Sequence, residues 1–147
     1  NVMKGYFGKP RETAEALSDG WLRTGDVGYL DEEGYLFLVD RQKDMINSSG
    51  LKIWPREVEE VLYRHPAVRE CAVIGAPHPV YGETVKALVA LKEPGAATPE
   101  ELREWVRARL ADYKAPRLVD LVDELPKNAT GKILKEELRR REREAAR

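Results

Sequence analysis

Lys132, close to the C-terminus, is the residue whose position most clearly suggests chemistry. It ends the run Pro126-Lys127-Asn128-Ala129-Thr130-Gly131-Lys132, in which a Thr-Gly-Lys turn separates an apolar stretch from a charged segment. A lysine on such a loop can reach a phosphate or a carboxylate that is supplied from outside the domain. The tripeptide alone also fits a solvated surface lysine, so the rest of the chain must decide between the two.

Two further groups of polar residues lie in the first half of the chain. Thr24-Gly25-Asp26 comes first, and Asp40-Arg41-Gln42-Lys43-Asp44 then precedes Ser49-Gly50-Leu51-Lys52. By residue type alone, Asp26 also fits a turn aspartate that bonds its own backbone, and Arg41 also fits a surface ion pair. Gly50 also fits an ordinary turn glycine.

The composition is that of a globular protein with balanced charge. The 147 residues include 25 Lys and Arg and 26 Asp and Glu, and this net charge of -1 argues against nonspecific nucleic-acid binding. The single cysteine, Cys71, lies in an apolar run, which favours a buried thiol in a reducing compartment. No run of about 18 apolar residues occurs. We therefore expect no transmembrane segment and a cytoplasmic location, with peripheral membrane contact still compatible.

The first part of the chain predicts a helix and a β-hairpin with too few apolar positions for a core of its own. A helical pattern covers residues 11–18, and two strands are predicted at 27–30 and 35–39 with a glycine-containing loop between them. A charged segment at 40–42 follows. We predict a boundary there, with residues 1–40 joined through a hinge near 41–44 to a domain of residues 41–147.

The second part predicts an α+β fold. Pro55 opens an amphipathic helix, residues 68–76 and 84–91 are predicted to pair as antiparallel strands, and Thr98 begins a capping-box helix. A short strand at 118–122 and a charged helix at 134–147 complete the pattern. We expect a small mixed domain with a central antiparallel sheet flanked by helices, preceded by the β-hairpin. In the last helix, two ion pairs four residues apart, Glu136 with Arg140 and Glu137 with Arg141, predict a role limited to solubility.

Taken in order, these motifs resemble the C-terminal part of the adenylate-forming superfamily, which includes acyl-CoA synthetases, luciferases and the adenylation domains of peptide synthetases. The resemblance covers nearly the whole chain and rests on four signatures: Gly20-Trp21-Leu22-Arg23-Thr24-Gly25-Asp26, Asp40-Arg41-Gln42-Lys43-Asp44-Met45-Ile46, Ser49-Gly50-Leu51-Lys52 with Pro55-Arg56-Glu57-Val58-Glu59, and the run that ends at Lys132. Asn1-Val2-Met3-Lys4-Gly5-Tyr6-Phe7 and Lys43-Asp44-Met45-Ile46 look most like long-chain fatty-acyl CoA ligases. The resemblance implies that residues 1–40 end a large N-terminal domain and that 41–147 form a mobile C-terminal domain.

The resemblance also implies a two-step reaction that uses ATP, CoA and a fatty acid or another carboxylate. The carboxylate attacks the α-phosphate of ATP to give an acyl adenylate and pyrophosphate, and a thiol then displaces AMP. Lys132 is assigned as the catalytic cation of the first step, where losing such a contact typically costs roughly 3 to 4 kcal/mol. Asp26 is assigned to the ribose hydroxyls, and Arg41 to ribose and phosphate oxygens.

For the second step, the resemblance implies that the C-terminal domain rotates about a hinge at Lys43, where many members carry aspartate. Rotation would withdraw Lys132 and bring Ser49 and Gly50 to the adenylate. Gly50 would pass close to the pantetheine arm of CoA, where a Cβ would crowd it. Lys52 is assigned to the adenylate phosphate.

Several parts of such an enzyme are absent from these residues. The phosphate loop, the adenine pocket and the acyl tunnel do not occur here, so we expect the chain alone to be inactive. No metal-ligand spacing occurs, and Mg²⁺ would travel with ATP, bound mainly by the missing N-terminal domain. His65 and His78 have no nucleophile or second ligand nearby in the sequence, so we interpret both as structural. Two alternatives stay open: a peptide-synthetase-type adenylation domain, or a stand-alone binding or regulatory module that has lost the chemistry.

Overall fold

The computed structural model describes residues 3–145, which divide into two units on either side of the Lys43–Asp44 bond. This division lies within the predicted hinge at 41–44. Arg41 and Lys43 belong to the first unit, so the described boundary falls a few residues after position 40. Whether the bond acts as a pivot stays a prediction.

The first unit begins with helix α1 (Pro10–Ala16) and a short antiparallel pair, β1 (Leu17–Ser18) with β2 (Trp21–Leu22). The helix was predicted to continue to Ser18, but it ends two residues earlier. The cause is the turn that follows, because Asp19 and Gly20 both have positive φ, at 51° and 82°. Two such residues close a tight hairpin whose flanking residues must be extended.

The predicted hairpin is strands β3 (Asp26–Leu30) and β4 (Leu36–Arg41), which pair antiparallel. The carboxylate of Asp31 shapes its loop by accepting hydrogen bonds from the backbone N–H groups of Glu33 and Tyr35. No described residue of this unit is buried. The unit therefore lacks a core, as its sparse apolar pattern predicts.

The second unit is an α+β domain, which confirms the predicted fold class. Its elements are β5 (Ile46–Ser48), β6 (Leu51–Ile53), α2 (Pro55–Tyr63), β7 (Val68–His78), β8 (Gly82–Leu91), α3 (Pro99–Arg107), β9 (Leu118–Leu121) and α4 (Lys135–Ala145). The long strands β7 and β8 pair antiparallel as predicted. Strand β9 pairs parallel to β8, which its position after the crossover helix α3 allows. The short hairpin β5–β6 was not predicted, and it joins the sheet through β8.

Both faces of the sheet are covered, which explains why β7 reads as a nearly continuous apolar run. Cys71 and Val73 point to the face packed by α2 and α3, whereas Ala72 and Ile74 point to the face packed by α4. This alternation follows from the two-residue period of a strand. On β8 the same alternation places Lys86 on the α4 face, where it is buried.

Cys71 is buried between β7 and α2, as predicted from its apolar run. Its Sγ lies 3.8 Å from the carbonyl oxygen of Glu59. Desolvation raises the pKa of the thiol to about 12. The thiol is therefore held protonated and has a structural role.

Helix α4 does more than confer solubility, so that prediction was wrong. Leu138 is buried against the sheet, and Arg139 forms an ion pair with Asp44. The predicted pair of Glu136 with Arg140 is not formed, because the guanidinium of Arg140 lies 3.2 Å from Glu137 instead. The other predicted pair, Glu137 with Arg141, is present at 2.9 Å.

Candidate functional site

Lys132 lies in a tight hairpin whose two arms meet at a single antiparallel bridge between Lys127 and Ile133. The side chain of Asn128 organises the tip, because its Oδ1 accepts hydrogen bonds from the backbone N–H groups of Thr130 and Lys132 at 3.0 and 2.9 Å. The backbone N–H of Asn128 donates to the carbonyl of Lys132 at 2.9 Å. The lysine is thus carried by a hydrogen-bonded turn.

The charge of Lys132 is unpaired in residues 3–145, and this sets it apart from its neighbours. Lys127 lies 2.5 Å from the carboxylate of Glu70, and Lys135 lies 2.7 Å from that of Glu59. Lys132 is exposed and has no carboxylate within ion-pair distance among these residues. An unpaired ammonium at the tip of an ordered hairpin is available to an anionic ligand.

Glu70 of β7 fixes the base of this hairpin. Its carboxylate accepts a hydrogen bond from the ammonium of Lys127 and another from the backbone N–H of Leu125, at 3.4 Å. The hydrogen bond from Lys127 lowers the pKa of Glu70 below its usual value. The hairpin is therefore attached to the central sheet through a charged pair with limited exposure.

Asp26 and Arg41 come together in the first unit, directly opposite each other where β3 begins and β4 ends. The Nε of Arg41 lies 3.4 Å from Oδ1 of Asp26. This is the ion pair expected of Arg41 on residue type alone, and its partner is the other predicted nucleotide-binding residue. The pair leaves the second carboxylate oxygen and the terminal guanidinium nitrogens for other partners.

A shallow depression of about 370 Å³ lies beside this pair, within the first unit. Its lining residues come from both sides of the hairpin: Thr24, Gly25, Arg41, Gln42 and Lys43. The backbone N–H of Gln42 donates to the carbonyl of Gly25 at 2.8 Å and so holds the two segments together. Lys43, the predicted hinge residue, thus lines the same depression as Arg41.

Ser49 and Gly50 form the two-residue turn between β5 and β6. Their φ angles are 50° and 87°, so both occupy the left-handed region. The N–H of Gly50 donates to the side chain of Asn47, and the N–H of Ser49 donates to the carbonyl of Tyr81. The turn itself therefore requires a residue such as Gly50, independently of any ligand. The space next to Gly50 is open, so its backbone is accessible.

Lys52 lies on β6, opposite Asn47 in the hairpin register, and is exposed. No described contact joins Lys52 or the Ser49-Gly50 turn to Lys132. The hairpin of Lys132 packs with Ile133 on the α4 face of the sheet. The predicted site residues of the second unit therefore form two separate groups.

The two histidines have structural contacts, in line with their interpretation. The Nδ1 of His65 accepts from the backbone of Ala67, and its ring packs edge-on against Trp105. The Nδ1 of His78 accepts from the backbone of Val80 and Tyr81. Within residues 3–145, no group of three His, Cys, Asp or Glu side chains is arranged to hold a metal ion.

Three features of the site were missed by sequence reasoning. These are the turn-forming role of Asn128, the Glu70–Lys127 pair, and the pairing of Asp26 with Arg41. An asparagine two residues before Thr-Gly is a known turn signal and could have been recognised. The two ion pairs join distant segments, and no local pattern encodes them.

No helix in the described part of the chain is long and apolar enough to cross a membrane.

Comparison with known proteins extends these observations. A family model described as the AMP-binding enzyme C-terminal domain matches residues 57–132. The chain is 54% identical over 143 residues to a long-chain-fatty-acid–CoA ligase of Bacillus subtilis (strain 168). This match covers 97% of this chain and 26% of the ligase. It is 52% identical over 141 residues to a feruloyl-CoA synthase of an Amycolatopsis species, covering 96% of this chain and 29% of that protein.

Solved structures show the same likeness. An ATP-bound RpMatB-BxBclM chimera matches with a TM-score of 0.91 and 37% identity, over 100% of this chain and 29% of the chimera. The chain thus spans little more than a quarter of the length of the proteins it matches. With the family model covering more than half of its residues, the chain belongs to the family of AMP-binding enzyme C-terminal domains.

Proposed function

We propose that this chain is the C-terminal part of an ATP-dependent acyl-CoA synthetase that makes an acyl adenylate and then an acyl-CoA thioester, with release of AMP and pyrophosphate. The observation that carries the proposal is Lys132, the exposed and unpaired ammonium at the tip of an ordered hairpin. Membership of the family and the CoA ligases among its relatives support it.

In the first step, Lys132 would act by electrostatics. A carboxylate and the α-phosphate of ATP are both anionic, and an ammonium that contacts both lowers their repulsion as they react. Such a cation is effective only if no internal carboxylate neutralises it. Lys127 and Lys135 are neutralised in this way, and Lys132 is the lysine of this hairpin region that is not, among the residues described.

The Asp26–Arg41 pair would hold the nucleotide. A carboxylate can accept hydrogen bonds from two neighbouring ribose hydroxyls, and a guanidinium can donate to ribose and phosphate oxygens. The ion pair orients both groups before a ligand arrives. Mg²⁺ would arrive with ATP and be held mainly by the N-terminal part of the protein.

In the second step, we propose that residues 44–147 rotate relative to residues 1–43, with Lys43 as the pivot. The compact division at Lys43–Asp44 supports this position. Rotation would exchange the Lys132 hairpin for the Ser49-Gly50 turn, whose exposed backbone suits the pantetheine arm of CoA. Lys52, exposed on the neighbouring strand, would then contact the adenylate phosphate.

We propose that the carboxylate substrate is a long-chain fatty acid. The relative with 54% identity acts on long-chain fatty acids, and this supports the choice. A feruloyl-CoA synthase is nearly as similar, at 52%, so the acid must be tested directly. Residues that would measure the acid's length lie outside this chain.

Residues 1–40 are proposed to belong to the large N-terminal domain. The described part of the first unit has no buried residue, and Phe7, Trp21 and Tyr29 are exposed. Large apolar side chains of this kind are normally covered by other structure.

We propose a cytoplasmic enzyme, in which contact with a membrane would be peripheral.

The test uses Lys132→Ala in the full-length protein, with the two half-reactions measured separately. We expect adenylate formation, followed as pyrophosphate release, to fall by about two to three orders of magnitude. Thioester formation from preformed adenylate should stay within about threefold of the wild type, because Lys132 is withdrawn in that step.

Lys92→Ala is the matched control, since the ammonium of Lys92 donates to the backbone carbonyl of Pro66 and has no assigned role. It should leave both half-reactions unchanged. Equal loss of both half-reactions in Lys132→Ala would exclude the proposed role. Running the same assay with a palmitate and a ferulate substrate tests the choice of acid.

The reading frames upstream and downstream of this chain distinguish the proposed ligase from the two alternatives raised by the sequence. A phosphate loop a few hundred residues upstream supports a ligase, and its absence supports a stand-alone module. A carrier domain downstream of Lys132 would support a peptide-synthetase-type adenylation domain. The CoA ligases among the relatives favour the first reading.

A further inference from the structure

We infer that Asn128 is a positioning residue for Lys132, and that it acts by fixing the backbone of the lysine at the tip of its hairpin. This inference rests on the proposed role of Lys132 in adenylate formation. It adds a second residue to that step, one that need not touch either substrate. Asn128 would fix the backbone position from which the Lys132 side chain extends to its ligand.

The hydrogen bonds of Asn128 enclose Lys132 from both sides. Its Oδ1 accepts the N–H of Lys132 at 2.9 Å, and its own N–H donates to the C=O of Lys132 at 2.9 Å. The same Oδ1 also accepts the N–H and the hydroxyl of Thr130, at 3.0 and 2.8 Å. Two of these groups are backbone N–H donors, so the atom facing them must be the amide oxygen and not the amide nitrogen.

The base of the hairpin is held independently of Asn128. Lys127 is paired with Glu70, and the N–H of Leu134 donates to the carbonyl of Pro126 at 2.8 Å. Ile133 packs into the apolar cluster under α4. With the base fixed in this way, the tip is held by the bonds to the Asn128 side chain and by two backbone bonds, from the N–H of Asn128 to the carbonyl of Lys132 and from the N–H of Gly131 to the carbonyl of Asn128.

Loss of the Asn128 side chain leaves these two backbone bonds in place and should therefore loosen the tip while the domain stays folded. Asn128 is exposed, so no cavity forms and no apolar packing is lost. The three bonds to Oδ1 would be exchanged for bonds to water. A catalytic group whose anchor is loosened by about 1 Å can lose roughly a hundredfold in rate. We expect a smaller loss than for removing the ammonium itself.

The experiment compares Asn128→Ala, Asn128→Ser and the control Ala129→Ser in the full-length protein. Asn128→Ala should slow adenylate formation by about ten- to a hundredfold. Thioester formation from preformed adenylate should change by less than about threefold, and the melting temperature should stay unchanged. Asn128→Ser keeps an uncharged oxygen acceptor near the same place and should lose less of the rate than Asn128→Ala. Ala129→Ser, at the same tip, should behave as wild type.

The double variant Asn128→Ala/Lys132→Ala distinguishes positioning from direct action. If Asn128 acts only through Lys132, the double variant should be no slower than Lys132→Ala alone. Additive losses would overturn the inference, as would unchanged adenylation in Asn128→Ala or equal loss of both half-reactions. If Lys132→Ala itself leaves adenylation intact, the proposed function fails. If Lys132→Ala is inactive and Asn128→Ala is fully active, only the positioning role fails.

Discussion

Replacing Lys86 tests how helix α4 is held on the sheet. The ammonium of Lys86, on the central strand β8, lies 2.7 Å from both Asp120 of β9 and Glu142 of α4. Only 10% of the Lys86 side chain is exposed, compared with 20% of Glu142 and 51% of Asp120. Desolvation alone would lower the pKa of Lys86, but the hydrogen bonds to the two carboxylates outweigh it and raise the pKa. The lysine is therefore charged at neutral pH.

The expected cost follows from these exposures. Lys86→Met keeps the apolar stem and removes the charge, which leaves the mostly buried Glu142 without its partner. Removing one member of a buried pair typically costs about 3 to 5 kcal/mol. Asp120 is half exposed and returns to water at little cost, and Glu142 keeps some solvent. We expect a loss of about 2 kcal/mol in the free energy of unfolding.

Urea unfolding of the 147-residue chain at pH 7, followed by circular dichroism, measures this loss. Lys92→Met is the control, because Lys92 forms a single bond to a backbone carbonyl. The double variant Lys86→Met/Glu142→Leu should recover to within about 1 kcal/mol of the wild type, since an apolar pair replaces the ionic one. The reasoning would be refuted if Lys86→Met left the free energy of unfolding unchanged. It would also be refuted if the double variant lost as much stability as the two single variants together.

Two further predictions concern the hairpin base and the hinge. Because the pKa of Glu70 is lowered by Lys127, its contribution to stability is present above the usual glutamate pKa and is lost as the pH falls through the lower folded value. Chemical unfolding at pH 7 and pH 3 should therefore show Glu70→Gln less stable than wild type by about 1 kcal/mol at pH 7 and by a smaller amount at pH 3; a constant difference would contradict the ion-pair account. Lys43→Pro in the full-length protein should restrict the proposed pivot and slow thioester formation more than adenylate formation in rapid-quench assays. Equal effects on the two steps, or none, would show that Lys43 is not the pivot.

Elements of the fold with a strong local signal were predictable from the sequence. Thr98 and Glu101 form the capping box that the sequence predicts for α3, with both reciprocal hydrogen bonds present. The long strands β7 and β8 follow from their apolar runs. The parallel pairing of β9 was not predictable, because the short strand carries no information on which neighbour it will join. The β5–β6 hairpin was missed because its strands have only three residues each.

The candidate site shows the same division between local and distant information. Lys132 could be selected from its turn residues, yet its distinguishing property is that nearby lysines have carboxylate partners and it has none among the described residues. That contrast depends on Glu70 and Glu59, which are distant in sequence. Lys43, Ser49 and Lys52 were selected by resemblance, because their proposed roles arise only when the two units rotate.

The burial of Cys71 makes the proposed rotation measurable by fluorescence. Burial raises the pKa of the thiol to about 12, so it stays protonated at pH 7, and the thiolate is the form that attacks maleimides. The chain has no second cysteine. A cysteine introduced on the exposed surface of residues 44–147 would therefore accept a dye selectively within this chain, with Cys71 left in place. The distance from such a dye to a fixed point elsewhere in the enzyme would report the domain movement during turnover.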